Sequence, residues 1–172
     1  MKRGPKGVLI IIAAAALCGV LDISAACIDA YVASGVMPGR LLQGIAGGLL
    51  GRGTYQGGLT TATLGLAMHF TMALSVATIF YLLSRRFPLP QRLAVVVIVG
   101  VSYGAAVFAV NNFVTAPLLS WCRSLYLHTP ALFKPPMGLS QLVIHMLCVG
   151  LPIALVMREY PSTRKWWSKI GS

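Results

Sequence analysis

Acidic residues are what this chain has least of. Among 172 residues only three are Asp or Glu, against 14 Lys and Arg, and charged residues make up 10% of the chain. A soluble domain usually carries about 25% charged residues, so water is not the expected main solvent. The acids are Asp22, Asp29 and Glu159, and they supply no paired catalytic carboxylates. No phosphate-binding glycine loop, Ser-His-Asp arrangement or HExxH motif is present either. Enzyme activity is therefore not expected.

Cysteine is also sparse. Cys18, Cys27, Cys122 and Cys148 show no CxxC or zinc-type spacing, so no disulfide framework can be read. Three of them lie in apolar stretches, where cysteine acts as a small packing residue. Cys122 is expected in a loop. The net charge of +11 raises the question of nucleic acid. The basic residues lie between and beyond the apolar stretches, without a recognition motif, so nucleic-acid binding is excluded. That placement suits contact with a lipid bilayer and its anionic head groups at the cytoplasmic face.

What the chain has in abundance is apolar sequence, 57% of its residues. Four stretches stand out, at about 7–32, 59–83, 93–116 and 139–157. Each matches the roughly 20 residues needed to cross a hydrocarbon core. The fold class read from this pattern is all-α, an integral membrane four-helix bundle in one domain, closed by a basic tail over 158–172. The basic opening (Lys2, Arg3, Lys6) is shared with signal peptides. The apolar run continues past any plausible cleavage point, and Leu17 is too large for the position before a lipoprotein cysteine. An uncleaved first helix is expected.

Between Ala33 and Thr60 glycines accumulate, and Arg40 to Arg52 reads as a short interfacial or re-entrant helix or, alternatively, as a flexible loop. Gly44 and Gly48, like Gly47 and Gly51, are four apart, a spacing that lets another helix approach closely. The second span repeats Thr61, Gly65, His69, Ala73 and Ala77 at four-residue intervals, and the third carries Gly100 and Gly104. Pro117 is expected to end the third span. The stretch from Leu118 to Gly138, with Trp121, Tyr126, Phe133 and three prolines, reads as an interfacial loop, and Trp166-Trp167 as an anchor in the tail.

Counting Lys and Arg orients the bundle. The amino end, the turn holding Arg85, Arg86 and Arg92, and the tail together carry ten, while the other two loops carry Arg40, Arg52, Arg123 and Lys134. Ten against four predicts both termini in the cytoplasm.

Polar residues inside the spans are the candidate site. A charge at the bilayer centre costs about 2.5 to 3.5 kcal/mol on insertion scales, unless it is neutralised or partnered. With about 1.5 Å of rise per residue, Asp22, Asp29, His69, Asn111, Asn112 and His145 all fall in the outer half of the bundle. Asp22 and Asp29 are two turns apart and face the same way. His69 matches Asp22 in depth, which predicts an Asp22–His69 pair, and Asp29 is expected to meet Asn111, Asn112 or water. Such a cluster can hold helices together by hydrogen bonds, or can pass protons or a small solute. Metal or haem ligation by His69 and His145 is the weaker option, because no local ligand spacing supports it. No metal or other cofactor is expected. The remaining class is a structural or assembly partner of another membrane protein, with a homodimer as one form.

Several segments resemble a group of small bacterial integral membrane proteins of uncharacterised function, more distantly similar to YagU-like inner-membrane proteins. They are Arg40-Leu41-Leu42-Gln43-Gly44-Ile45-Ala46-Gly47-Gly48-Leu49-Leu50-Gly51, Gly65-Leu66-Ala67-Met68-His69-Phe70, Asn112-Phe113-Val114 with Pro117-Leu118, and His145-Met146 through Val149-Gly150-Leu151-Pro152. The resemblance spans about Leu17 to Arg158. It implies four helices, a bacterial inner-membrane location and an uncleaved first span, with Asp22, His69, Asn112 and His145 on the recurring pattern. It implies no activity.

Overall fold

A computed structural model describes residues 5–87, 89, 92–128 and 138–159 of the chain. Backbone amides in an apolar solvent must bond one another, and helices do this within a single segment. Among the described residues every regular element is helical. Four helical stretches are long and apolar enough to cross a membrane: Lys6–Ser34, Gly58–Arg86, Leu93–Leu127 and Leu139–Arg158.

The first helix, α1 (Pro5–Ser34), ends at Gly35, which takes a positive φ of 64°. There the Gly35 amide donates to the Tyr31 carbonyl and the Val36 amide to that of Ala30, a glycine-dependent stop that satisfies the last carbonyls. Pro38 then opens α2 (Pro38–Leu50), where its missing N–H and fixed φ suit a first turn. A 3-10 turn over Arg52–Gln56 leads into α3 (Gly58–Arg86). The third stretch is α4 (Leu93–Val110), one π turn (Asn111–Thr115) and α5 (Ala116–Leu127). The fourth repeats that plan with α6 (Leu139–Ile144), a π turn (His145–Gly150) and α7 (Leu151–Arg158).

Two sequence expectations need correction here. Pro117 does not end the third stretch, because the π turn just before it absorbs the residue whose carbonyl a proline ring would strike. Pro152 follows the second π turn in the same way. The helix therefore runs to Leu127, and Cys122 lies within α5 rather than in a loop. The rest of the expected interfacial loop, 129–137, and the tail from 160 lie outside the described residues.

Neighbouring stretches run antiparallel. Asp22 approaches His69 and Gly19 approaches Phe70 and Ala73, while Gly104 meets His145 and Gly100 meets Gly150 and Ala154. One end of the bundle therefore gathers Lys6, Arg85, Arg86, Arg92 and Arg158 (the basic end), and α2 lies at the other.

Packing differs between the two halves. Toward the basic end, Ala14, Ala77, Phe80, Val96, Ile153 and Met157 form a buried core. The third and fourth stretches touch backbone to backbone: a Cβ on Gly104 would lie 2.3 Å from the His145 carbonyl oxygen, and one on Gly150 would lie 2.0 Å from that of Gly100. Gly65 serves α2 in the same way, since its Cβ would meet the Leu42 carbonyl oxygen at 1.9 Å. Gly44 and Gly48 correct the small-pair expectation. A Cβ on Gly48 would touch nothing within 4 Å, one on Gly44 would meet only the Tyr55 side chain, and both glycines line a cavity.

This contrast sets a stability test. Gly104→Ala should destabilise the purified protein by about 1 to 3 kcal/mol, as overpacking against backbone does. Gly48→Ala should leave it unchanged or slightly more stable, since alanine is the better helix former by about 1 kcal/mol. Denaturant titration in mixed micelles checks both, and equal effects would contradict the assigned contacts.

Candidate functional site

The cavity begins where the core ends. Cys18, Ala73 and Val149 belong to both. From there the space opens away from the basic end to a volume of about 860 Å³, within the roughly 300 to 1,000 Å³ of small-molecule sites. It exists because α3 packs along α1 and α2, whereas α4 packs along the fourth stretch. The walls of α3 and α4 meet at Tyr103, whose hydroxyl donates to the Val76 carbonyl at 2.8 Å and whose ring stands edge-on to Phe80. Otherwise the two helices do not pack along each other.

The roof is α2, with Leu41, Gly44, Ile45 and Gly48 on the cavity. It is held by Gln43, which donates to the Gly58 carbonyl at 2.9 Å, and by Arg123 of α5. The Arg123 guanidinium donates to the carbonyls of Gly47 and Gly48 at 3.1 and 3.2 Å. A cation on the last carbonyls of a helix also complements its dipole.

Asp22 and His69 lie on the floor. Their side chains are 15% and 12% exposed, and Asp22 Oδ2 lies 3.9 Å from His69 Nδ1, an ion-pair distance longer than a hydrogen bond. His69 Nε2 lies 2.9 Å from the Gly19 carbonyl oxygen. A carbonyl only accepts, so Nε2 carries a proton and Nδ1 faces the carboxylate. The pair then needs one further proton to attract, whether it resides on the imidazole or on the acid. Gly19 makes this arrangement possible, because a Cβ there would lie 2.7 Å from the Phe70 ring. The second carboxylate oxygen, Asp22 Oδ1, is buried and has no hydrogen-bond partner among the described residues. A buried acceptor without a partner costs about 1 to 3 kcal/mol, and more for a charged group.

Of the six predicted site residues, Asp22, His69, Asn111 and His145 line this one cavity. His145 Nδ1 donates to the Gln141 carbonyl at 2.8 Å, so its Nε2 is the acceptor. Asp29 and Asn112 do not line the cavity. The Asp29 carboxylate accepts from Gln141 Nε2 at 2.7 Å and from Ser140 Oγ at 3.2 Å, which joins α1 to α6 instead of meeting Asn111 or Asn112. Asn112 is buried and returns its amide to the Phe108 carbonyl one turn back. Among the described residues no group of three His, Cys, Asp or Glu is placed to hold a metal ion.

Sequence reasoning missed Gly19, Tyr103 and Arg123. A glycine one turn before an intramembrane acid was the available signal for the first, and a lone arginine in an apolar segment for the last.

The geometry separates the roles of Asp22 and His69 in stability. His69→Gln loses the bond to Gly19 and should cost about 0.6 kcal/mol, with about 1.7 as a ceiling for such interhelical bonds. Asp22→Asn should leave stability unchanged or raise it, because the carboxylate it replaces is half unpartnered. Marked loss of folded Asp22→Asn protein in denaturant titration would show that the carboxylate is structural. No protein-family model matches the chain, nor does any curated protein or solved structure.

Proposed function

We propose that this is a multi-pass membrane protein that binds a small solute in its intramembrane cavity and handles it together with a proton. It acts as a transporter or as an accessory to one, not as an enzyme. The observation that carries this reading is the convergence of Asp22, His69, Asn111 and His145 from all four long helical stretches on a single cavity of about 860 Å³. A cluster that only fastened helices together would pair its polar groups with one another, as Asp29, Ser140 and Gln141 do. Asp22 instead leaves an oxygen unpaired in an apolar surrounding, and such an arrangement is expensive unless it is used.

The distribution of basic residues supports a bacterial inner-membrane location with both termini in the cytoplasm. The resemblance to small four-helix, distantly YagU-like proteins agrees with that setting. The partners proposed are the bilayer, with its anionic head groups at the cytoplasmic face, and a second membrane subunit or a second copy of the chain.

A single experiment reads orientation, level and function. The chain is fused at Ser172 to a fluorescent protein that matures only in the cytoplasm, and returned to a deletion strain under pH and solute stress. Wild type should fluoresce and restore growth. Asp22→Asn, and Ala26→Trp, which fills the cavity one turn from Asp22, should fluoresce equally and fail to restore it. Full complementation by both variants would reject solute handling in favour of an assembly role.

A further inference from the structure

The cavity wall also specifies the charge of what it holds. Asp22 is its one acidic residue, and no Lys or Arg lines it among the described residues. Its other polar groups, among them His69, Thr71, Asn111, Thr115, Gln141 and His145, bring no fixed charge. The net character is one carboxylate in an apolar chamber. An anion entering there would find no fixed cation to pair with, whereas a neutral solute without a hydrogen-bond donor would leave Asp22 Oδ1 as it is, buried and unpartnered among the described residues.

Access is the second observation. Leu64, Met72, Ile79 and Val110 line the cavity and are also exposed on the outer surface. The cavity therefore opens sideways between α3 and α4, toward the hydrocarbon in which these apolar helices would lie. A solute using that gap must itself be apolar enough to dissolve in the bilayer. Met68, Met72 and Tyr103 on the walls are polarisable or aromatic, surfaces that accept an organic cation well.

We propose that the ligand is an amphipathic organic cation, one positively charged nitrogen or phosphorus centre on an apolar body, which enters between α3 and α4 and sets its charge against Asp22. This deepens the solute-binding reading and rests on it. The proton balance follows from the pair already described. In this proposal a proton on either Asp22 or His69 balances the empty cavity, and the bound cation takes its place and sends it to water. One charge enters and one departs. Other titratable groups around Asp22 are Cys18 on its own helix, Tyr103 on α4, and His145 and Cys148 on the fourth stretch. None of them is a fixed cation that could replace the ligand.

Tetraphenylphosphonium and tetraphenylborate, equal in shape and opposite in charge, test the proposal on the full chain in lipid nanodiscs, with empty nanodiscs as the partition control. Triphenylphosphine oxide serves as the neutral probe. Saturable binding of tetraphenylphosphonium is expected, at least tenfold tighter than that of the borate. One proton should be released per cation bound, and affinity should rise with pH by up to tenfold per unit. Asp22→Asn should lose at least tenfold in cation affinity and Asp22→Glu should retain it. Equal binding of the two ions, or cation binding indifferent to pH and to Asp22→Asn, overturns the cation proposal while leaving solute binding intact. Saturable binding of the neutral probe alone does the same. Absence of saturable binding by all three probes overturns both. Should Asp22→Asn fail to fold, the shape-matched pair on wild type decides.

Discussion

The backbone contact among Gly100, Gly104 and Gly150 is the constraint on which the architecture depends. It draws α4 against the fourth stretch more closely than any side chain would permit. A helix held that tightly on one side packs little along α3, and the contact around Tyr103 links the two. The hollow on the far side of Tyr103 is the geometric remainder. Gly65 then lets α2 close over that hollow. Small residues thus do more here than tighten a bundle: by choosing which helices touch, they choose where a cavity is left.

Asp22 and Asp29 show how position decides the fate of one chemical group. They lie two turns apart on α1 and present the same side of it. Asp29 faces the start of the fourth stretch, where Ser140 and Gln141 satisfy it. Asp22 faces the chamber, where His69 is its single close partner and one oxygen remains bare. Low local dielectric strengthens a completed polar network and penalises an incomplete one. The same medium that makes Asp29 a fastening makes the open position beside Asp22 costly.

Much of this was legible in the sequence, for identifiable reasons. Apolar run length located the first, second and fourth long helices within a few residues, because the requirement is set by the thickness of a hydrocarbon layer. The third runs on to Leu127, well past the expected end at 116. Helical rise alone put Asp22 at the depth of His69, and the two side chains do face each other. What failed were inferences about partners and stops. Pro117 reads locally as a terminator, and nothing local announces the π turn that accommodates it. Gly44 and Gly48 have the spacing of a helix contact, yet spacing does not say whether a helix arrives. Depth alone offers Asp29 the side chains of Asn111 and Asn112, or water, yet the fourth stretch presents Ser140 and Gln141 to it. Depth is a one-dimensional property that sequence carries; azimuth is a product of packing.

The opening of the Asp22 chamber between α3 and α4, where cavity-lining residues are also exposed on the outer surface, can be measured directly. A nitroxide at Ala106, which lines the cavity from α4, reads this in a bilayer once the native cysteines are replaced. The account predicts high collision rates with oxygen, which concentrates in hydrocarbon, and low rates with a water-soluble nickel chelate. A label shielded from both, as in a closed helix interface, would contradict it, and so would one open chiefly to the nickel chelate.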